Sequence, residues 1–446
     1  MPHMVKDALP LVAVAAGLLG AAGVTEAARR RVPPAAPAPP LPEDFRWGVA
    51  LSGYQAEGRS PDSNWTRHES SRAPMIREPF GTGPDFAGRY AQDIALAASL
   101  GVDTFRFSLE WARTEPAPGV LSEEGWAFYD AVMDELDRHG LRAMITIDHW
   151  VYPGWVLERG GWDWHGIVDA WLMHAERVLR RYAGRGVTWI TINEPSFYLD
   201  GERRDRRLGR AQRRTMKARL LECHQRAYAI AHEVDPGCMV SSNLACVPAP
   251  LHHLTDSWFV DRCRDTLDFV GIDYYYGLSL DNLTVWRDTL GHYRSITPQP
   301  ESLRYMLRIY AKKFPGLPIW IVEHGMPTDD GRPRADGITR GQHLADHVRQ
   351  IQLAIAEGIP VIGYNHWSLT DNYEWGSYRP RFGLWRVEVR DGDLTRVPTD
   401  GVEAYRRIIA GRGVPHDRQP VCPPAFGVFA APWETTLGRL QRGARR

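Results

Sequence analysis

The sequence lacks an excess of charge of either sign. Its 446 residues include 54 basic and 54 acidic side chains, so the formal net charge is zero. Proteins that bind nucleic acid or another polyanion usually carry a basic surplus, and the balanced charge gives no electrostatic reason to expect such a partner. A neutral substrate fits the composition better.

Cysteine is scarce, and its spacing indicates no metal centre. The chain has no C-x-x-C pair and no cysteine at a ligand-like spacing from histidine. We interpret the cysteines as buried thiols and predict neither a metal ion nor another cofactor. The five are Cys223, Cys238, Cys246, Cys263 and Cys422.

The chain also has no Gly-rich phosphate motif after a strand and no short internal repeat, which argues against a nucleotide-binding loop and a repeat architecture.

Long apolar runs are limited to one segment near the N-terminus. Residues 8–24 carry no charge, and arginines follow at 29–31. Seventeen helical residues reach about 25 Å, slightly less than a bilayer core. The segment 1–31 predicts a membrane anchor, with association through residues 8–28; a signal peptide or a loose Ala-rich helix are the alternatives, so a secreted or cytoplasmic location stays open.

The flanking segments have compositions of their own. Residues 32–42 are rich in proline and alanine and predict an extended linker. Residues 415–446 form a tail rich in proline and arginine, to which the sequence assigns no role. The domain between them spans 43–414, and nothing in the sequence sets its oligomeric state.

This central domain alternates strand-like and helix-like segments. Eight short apolar runs predict strands at 47–51, 104–109, 143–148, 188–193, 239–243, 269–273, 319–322 and 361–367. Amphipathic runs lie between or after them, at 86–100, 125–139, 168–182, 216–234, 303–314, 339–357 and 402–410. This order predicts an α/β fold, a single (β/α)8 TIM barrel, with its chemistry at the C-terminal ends of the strands.

Two predicted strands end at a glutamate. The run TWITINEP at 188–195 delivers Glu194, and PIWIVEHG at 318–325 delivers Glu323. In a barrel both side chains reach the same mouth, where two carboxyl groups form an acid/base and nucleophile pair. The alternative is that each glutamate caps a neighbouring helix.

Further polar and aromatic side chains follow other strands, where a packed core would not need them. Their joint placement at one end of one barrel indicates a binding site, and tryptophan rings around a cleft would offer stacking surfaces for sugars. These residues are Gln55, Arg106, His149, Trp150, Asn193, Tyr275, Trp367, Glu374 and Trp375.

The motifs that carry these residues resemble glycoside hydrolase family 1, the β-glucosidase and β-galactosidase family, over residues 42–410. The matching segments include FRWGVA with YQAEG, FRFS, TINEP, DFVGIDYY, VEHG and WSLTDNYEW, in that order. The resemblance implies a (β/α)8 barrel that hydrolyses O-glycosidic bonds with retention, through a covalent glycosyl-enzyme. The substrate implied is a small β-glycoside or an oligosaccharide.

The resemblance also implies roles for individual residues. Glu194 resembles the acid/base and Glu323 the nucleophile, with Arg106 and Tyr275 as the groups that support the nucleophile. A substrate without phosphate is implied by Glu374 and Trp375, because members that act on 6-phosphorylated sugars carry a different set there. The residues that resemble the sugar-binding set are Gln55, His149, Trp150, Asn193, Trp367, Glu374 and Trp375.

Two positions depart from the family pattern. His324 stands where the family usually has asparagine after the nucleophile, and Asp273 stands where it usually has asparagine in the sixth-strand motif. His324 could donate a hydrogen bond as an amide would, but it could also become charged and alter the pH profile. Asp273 would add a negative charge near the site unless it is paired.

Two other functions remain open at this point. A membrane-associated transglycosylase that acts on glycolipid would use the same residues, and the stretch 203–219, with eight arginines and one lysine, could contact anionic lipid if it is not simply a solvated helix face. A catalytically inactive sugar-binding module is the other, although such proteins typically lose one of the two glutamates and this chain keeps both.

Overall fold

The computed structural model describes residues 38–71, 76–246, 258–275 and 298–422. The predicted membrane segment at 8–28 and the tail beyond residue 422 lie outside these residues. Within the described ranges, no helix combines the length and the apolar composition needed to cross a membrane.

Eight parallel strands close into a barrel, as the sequence predicts. The strands of the structure are β1 (Arg46–Ala50), β2 (Thr104–Ser108), β3 (Arg142–Asp148), β4 (Thr188–Asn193), β5 (Met239–Ala245), β6 (Val270–Tyr274), β7 (Ile319–His324), β8 (Thr328–Asp329), β9 (Val361–Trp367), β10 (Pro380–Arg381), β11 (Trp385–Glu388) and β12 (Asp393–Pro398). The barrel order is β1-β2-β3-β4-β5-β6-β7-β9, and β9 pairs back onto β1. Because both faces of such a sheet are covered, its strands consist mostly of buried residues.

Helices follow the barrel strands and cover the outside of the barrel. They are α1 (Gly53–Ala56), α2 (Asn64–Ser70), α3 (Phe86–Ala98), α4 (Trp111–Thr114), α5 (Glu123–Arg138), α6 (Gly154–Glu158), α7 (Ile167–Tyr182), α8 (Pro195–Asp205), α9 (Arg210–Val234), α10 (Pro300–Lys313), α11 (Arg340–Ala356) and α12 (Asp400–Ala410). Two 3₁₀ helices lie at Gly161–Asp163 and Arg264–Thr266. The long helices coincide with the predicted ones to within a few residues, whereas the short helices at the strand ends were not predicted.

The hydrophobic core has several parts. The largest one lies between the barrel wall and the helices, and includes Phe105 of β2 and Leu136 of α5. A separate cluster is formed by side chains of several barrel strands, among them Met144, Ile190 and Trp320. All five cysteines are buried, which confirms their interpretation as buried thiols.

Candidate active site

The two glutamates lie at the carboxyl ends of β4 and β7, on the same mouth of the barrel. Glu323 is 4% exposed and Glu194 is 9% exposed, so both carboxyl groups are largely withdrawn from solvent. Burial of two acidic side chains at one barrel mouth is costly unless other groups hold them, and such sites are often functional.

Glu323 is held by one donor on each carboxylate oxygen. Arg106 of β2 donates from Nη1 to Oε1, and the hydroxyl of Tyr275 donates to Oε2 at 2.5 Å. Arg106 is fully buried, and its Nε donates to the hydroxyl of Thr146 at 3.1 Å. A cation and a hydroxyl donor aimed at one carboxylate stabilise its ionised form.

A β-bulge in β7 determines where Glu323 lies. Along the β6–β7 pairing Ile272 is opposite Ile321, but the next residue of β6, Asp273, is opposite Glu323, so Val322 is skipped. A bulge turns a side chain that regular alternation would direct elsewhere, and bulges are frequent beside active sites.

Asp273 is buried next to this pair. Burial raises its pKa well above the usual value, and the nearby charges of Glu323 and Glu194 raise it further. The amide of Asn243 donates to its Oδ2. The surroundings thus disfavour the additional negative charge that the sequence suggested at this position, and Asn243 is the partner of the carboxyl.

Asn193 joins the same network through its amide oxygen. Oδ1 accepts from Arg106 Nη2 at 2.6 Å and from Asn243 Nδ2 at 2.6 Å. Its backbone carbonyl accepts from the indole of Trp150 at 2.8 Å. Because the oxygen is occupied by protein donors, the NH₂ group is the part of this amide that can serve a ligand.

Glu194 has a left-handed backbone conformation with φ of 39°. Its N–H donates to the carbonyl of Asn243 at 3.1 Å, and Pro195 follows as the first residue of α8. A left-handed non-glycine residue costs about 1–3 kcal/mol and persists where the surroundings fix it, often at functional sites. Trp150 and Trp375, at the same mouth, share this conformation with φ of 70° and 47°.

Aromatic side chains form one wall of the site. The ring of Trp375 stacks on Trp150 with centroids 4.9 Å apart, and His149 stacks on Trp367 and on Trp375 at 6.0 Å each. Burial and the charge of Arg106 lower the pKa of His149 well below its usual value, so the imidazole is neutral. A neutral imidazole offers one donor and one acceptor to a ligand.

Glu374 lies beside this wall and has two neutral donors. Gln55 Nε2 donates to it at 3.3 Å and Trp367 Nε1 at 3.2 Å. The hydroxyl of Ser52 donates to Gln55 Oε1 at 2.7 Å and so directs the amide NH₂ towards Glu374. Burial, together with the charge of Glu323, raises the pKa of Glu374 to about 8.

His324 lies on the outer face of the barrel wall. Its Nδ1 is 2.7 Å from the hydroxyl of Tyr364, and its ring lies against His347 of α11. Burial lowers its pKa well below the usual value. The sequence left open whether His324 would give Glu323 a hydrogen bond or a nearby charge; in the structure its side chain faces the other way, because strand alternation sends adjacent side chains to opposite faces.

Several arginines of the stretch 203–219, which follows β4, have partners within the chain. Arg204 pairs with Asp205 at 2.7 Å, Arg206 pairs with Glu202 at 3.2 Å, and Arg219 donates to a backbone carbonyl at 2.6 Å. These contacts support the interpretation of the stretch as a solvated helix face with internal pairs.

Sequence reasoning missed two residues that the structure places in the site. Asn243 of β5 bridges Asn193 and Asp273, and Phe382 packs edge-on against Tyr275 at 5.5 Å. The sequence offered one signal for Asn243, an amide side chain at the end of a predicted strand. Phe382 lies in a loop region, where the sequence gives no comparable signal.

A closed (β/α)8 barrel with two buried glutamates and an aromatic wall at its mouth defines the architecture of a glycoside hydrolase. The sequence profile of glycosyl hydrolase family 1 matches residues 38–240 and 259–414. The chain therefore belongs to glycosyl hydrolase family 1 and is a β-glycosidase of that family.

Individual relatives agree with this assignment. Beta-glucosidase A of Thermotoga maritima is 27% identical over 450 residues, which cover 84% of this chain and 98% of that protein. Aryl-phospho-beta-D-glucosidase BglC of Bacillus subtilis is 26% identical and covers the same shares. The structure of a Thermotoga maritima beta-glucosidase in complex with castanospermine superposes with a TM-score of 0.71 at 23% identity, over 84% of this chain and 99% of that one. Relatives of this chain thus include both glucosidases and phosphoglucosidases.

Proposed function

We propose that this chain hydrolyses non-phosphorylated β-D-glycosides with retention of configuration, with Glu323 as the nucleophile and Glu194 as the acid/base. The observation that carries the proposal is the pair of donors on Glu323. A guanidinium and a hydroxyl that donate to its two oxygens hold this carboxyl group in position, as nucleophilic attack on an anomeric carbon requires.

The two glutamates account for both steps of the reaction. Glu323 forms a bond to the anomeric carbon while Glu194 gives its proton to the departing oxygen. Water, deprotonated by Glu194, subsequently displaces Glu323 and releases the sugar with its original configuration. The NH₂ group of Asn193 contacts the sugar in this scheme and binds it most tightly in the oxocarbenium-like transition state.

The surroundings of Glu374 favour a substrate without phosphate. Its donors, Gln55 and Trp367, are neutral, and burial, together with the charge of Glu323, raises its pKa to about 8, so near neutral pH Glu374 is mostly protonated. A phosphate dianion at this position would have these neutral donors as neighbours and would lie near the charge of Glu323, and a buried charge without a counter-charge costs several kcal/mol. The hydroxyls of a neutral sugar can instead exchange hydrogen bonds with Glu374, Gln55 and His149.

The stereochemical test uses azide to replace the missing carboxylates. Glu323→Ala is expected to be inactive on p-nitrophenyl β-glycosides and to form an α-glycosyl azide when azide is added, because azide attacks from the side that the nucleophile has vacated. Glu194→Ala is expected to form a β-glycosyl azide from a substrate with a good leaving group. Azide products of the opposite configurations would overturn the two roles.

The substrate test compares p-nitrophenyl β-glucoside and β-galactoside with the 6-phosphate of the glucoside. We expect kcat/KM for the neutral glycosides to exceed that for the phosphate by at least about 10²-fold. A preference for the phosphorylated substrate would contradict the proposal for Glu374 while leaving the roles of Glu194 and Glu323 intact.

A further inference from the structure

A buried cluster of three histidines lies on the outside of the barrel wall, behind the nucleophile. His324 comes from β7, and His343 and His347 come from α11, which packs over that strand. All three are at most 1% exposed. The ring centroids are 4.9 Å apart for His324 and His343, 4.3 Å for His324 and His347, and 4.1 Å for His343 and His347.

Each of these imidazoles has a buried nitrogen without a hydrogen-bond partner among the described residues. The atoms are Nε2 of His324, Nδ1 of His343 and Nε2 of His347. A buried polar atom left without a partner carries the full cost of its desolvation, and native proteins rarely leave three of them side by side.

The geometry points to a binding site for a divalent transition-metal ion of the Zn²⁺ type, with His324, His343 and His347 as its ligands. One ligand nitrogen from each residue lies within 4.8 Å of the other two. Nitrogens bound tetrahedrally to Zn²⁺ at 2.0–2.1 Å are about 3.3 Å apart, a separation that rotation of the rings can bring about. The spacing of His343 and His347, four residues apart on one helix, places both on the same face.

A hydrogen bond at its other nitrogen fixes the tautomer of His347. Nδ1 of His347 is 2.8 Å from the carbonyl of His343. A carbonyl only accepts, so Nδ1 carries the proton and Nε2 of the neutral ring presents its lone pair to the cluster. Ligand histidines commonly donate their other N–H in this way. Nδ1 of His324 is 2.7 Å from the hydroxyl of Tyr364, a group that can accept its proton.

Aromatic and charged side chains surround the three histidines. The ring of Tyr274 lies 6.1 Å from His324 and 5.8 Å from His347, and Tyr364 closes another side at 5.5 Å from His324. Asp346 places a negative charge next to His347. Arg334, whose charge acts on His343, is paired with Asp336 at 2.6 Å, which offsets its repulsion of a cation.

The metal would have a structural role rather than a role in the glycosidase reaction. It would join β7, which carries Glu323, to the helix that covers it, and its ligands face away from the mouth that holds Glu194. A metal ion held by ligands from two elements contributes to the stability of the fold.

The test is the metal content of the full chain, without an affinity tag, and of two variants. After treatment with chelator, incubation with excess Zn²⁺ and gel filtration, wild type is expected to hold about one equivalent more zinc than His343→Gln/His347→Gln. His174→Gln is the matched control, because His174 is also buried with an unpartnered Nε2 but lies outside the cluster. It should bind as much zinc as wild type. Equal zinc contents in all three proteins would overturn the proposal.

Wild type alone gives a second test in case the double variant does not fold. Co²⁺ added to the chelator-treated chain should produce the intense visible absorption of a tetrahedral or five-coordinate site, and Zn²⁺ should abolish that absorption and raise Tm. A weak octahedral spectrum with no change in Tm would contradict the proposal. These readouts do not depend on glycosidase activity, so they can fail or succeed independently of the proposed function.

Discussion

Tyr275 contributes a hydroxyl to Glu323 that can be removed without creating a large cavity. In Tyr275→Phe the carboxylate keeps Arg106 but loses its second donor, so it is less firmly held in position. We expect kcat/KM to fall by about tenfold, the effect of losing one hydrogen bond to a charged group. Steady-state kinetics on p-nitrophenyl β-glucoside measure this loss.

Tyr182→Phe is the matched control for this substitution. The Tyr182 hydroxyl also donates to a carboxylate, that of Asp130 at 3.1 Å, but on the outer helical layer. Its kcat/KM should equal that of wild type. An unchanged kcat/KM in Tyr275→Phe would show that the hydroxyl does not support the carboxylate in the working enzyme.

Asp273 provides a second test at the scale of one side chain. Its raised pKa favours the protonated carboxyl, which the amide of Asp273→Asn matches in charge and shape. We expect the kcat/KM profile of this variant to keep both limbs where wild type has them. If Asp273 were ionised, removing its negative charge would favour ionisation of Glu323 and Glu194, and both limbs would move to lower pH.

The site residues differ in how far the sequence could predict them. Glu194 and Glu323 were indicated by strands that end abruptly, because this is a local pattern. The contact of Arg106 with Glu323 joins residues 217 positions apart, and only the family resemblance could suggest it. The histidine cluster was missed for the same reason, since His324 lies far in sequence from the H-x-x-x-H pair on α11 and was interpreted only as a departure next to the nucleophile.

The barrel strands and the long helices could be predicted from the sequence, whereas the elements added to the barrel could not. Each barrel strand is a short apolar run, and each long helix shows an amphipathic period, so their bounds follow from the sequence within a few residues. The hairpin of β11 and β12 has no such signal. Its strands are partly exposed, and what holds β12 is an ion pair with a helix about 300 residues earlier.

That ion pair joins Arg396 of β12 to Asp93 of α3. Arg396 donates from Nε and Nη2 to the two carboxylate oxygens at 2.7 Å each, and both side chains are 1% exposed. Asp93→Asn leaves a buried guanidinium without its counter-charge and is expected to lower the free energy of unfolding by about 3–5 kcal/mol. Denaturant unfolding of the chain measures this loss.

Two further variants separate charge from shape. Asp93→Leu/Arg396→Met removes both charges and should cost much less than Asp93→Asn, because no unpaired charge stays buried. Glu176→Gln breaks the exposed pair with Arg180 and should cost less than about 1 kcal/mol. A double variant as unstable as Asp93→Asn would mean that packing, and not charge, holds the hairpin.

Across the whole molecule, buried histidines and buried carboxyls have opposite effects on the stability of the fold as pH changes. Burial lowers the pKa of His174 to about 3 and that of His224 to about 4. Burial raises the pKa of Asp148 to about 7 and that of Glu374 to about 8. The histidines destabilise the fold as pH falls below about 6.5, because only the unfolded chain takes up their protons. The carboxyls destabilise it as pH rises above about 4, because only the unfolded chain releases their protons.

Substituting one group of each kind isolates its effect on the pH dependence of stability. Relative to His174→Gln, wild type should lose about 2 kcal/mol of stability between pH 7.5 and pH 5, since the unfolded histidine gains a proton that the folded one does not. Relative to Asp148→Asn, wild type should instead lose stability as pH rises from 4 to 7. The exposed His416 supplies the control variant, His416→Gln. Denaturant unfolding at each pH gives the differences, and curves for wild type and His174→Gln that stay parallel would mean that His174 is protonated inside the fold despite its burial.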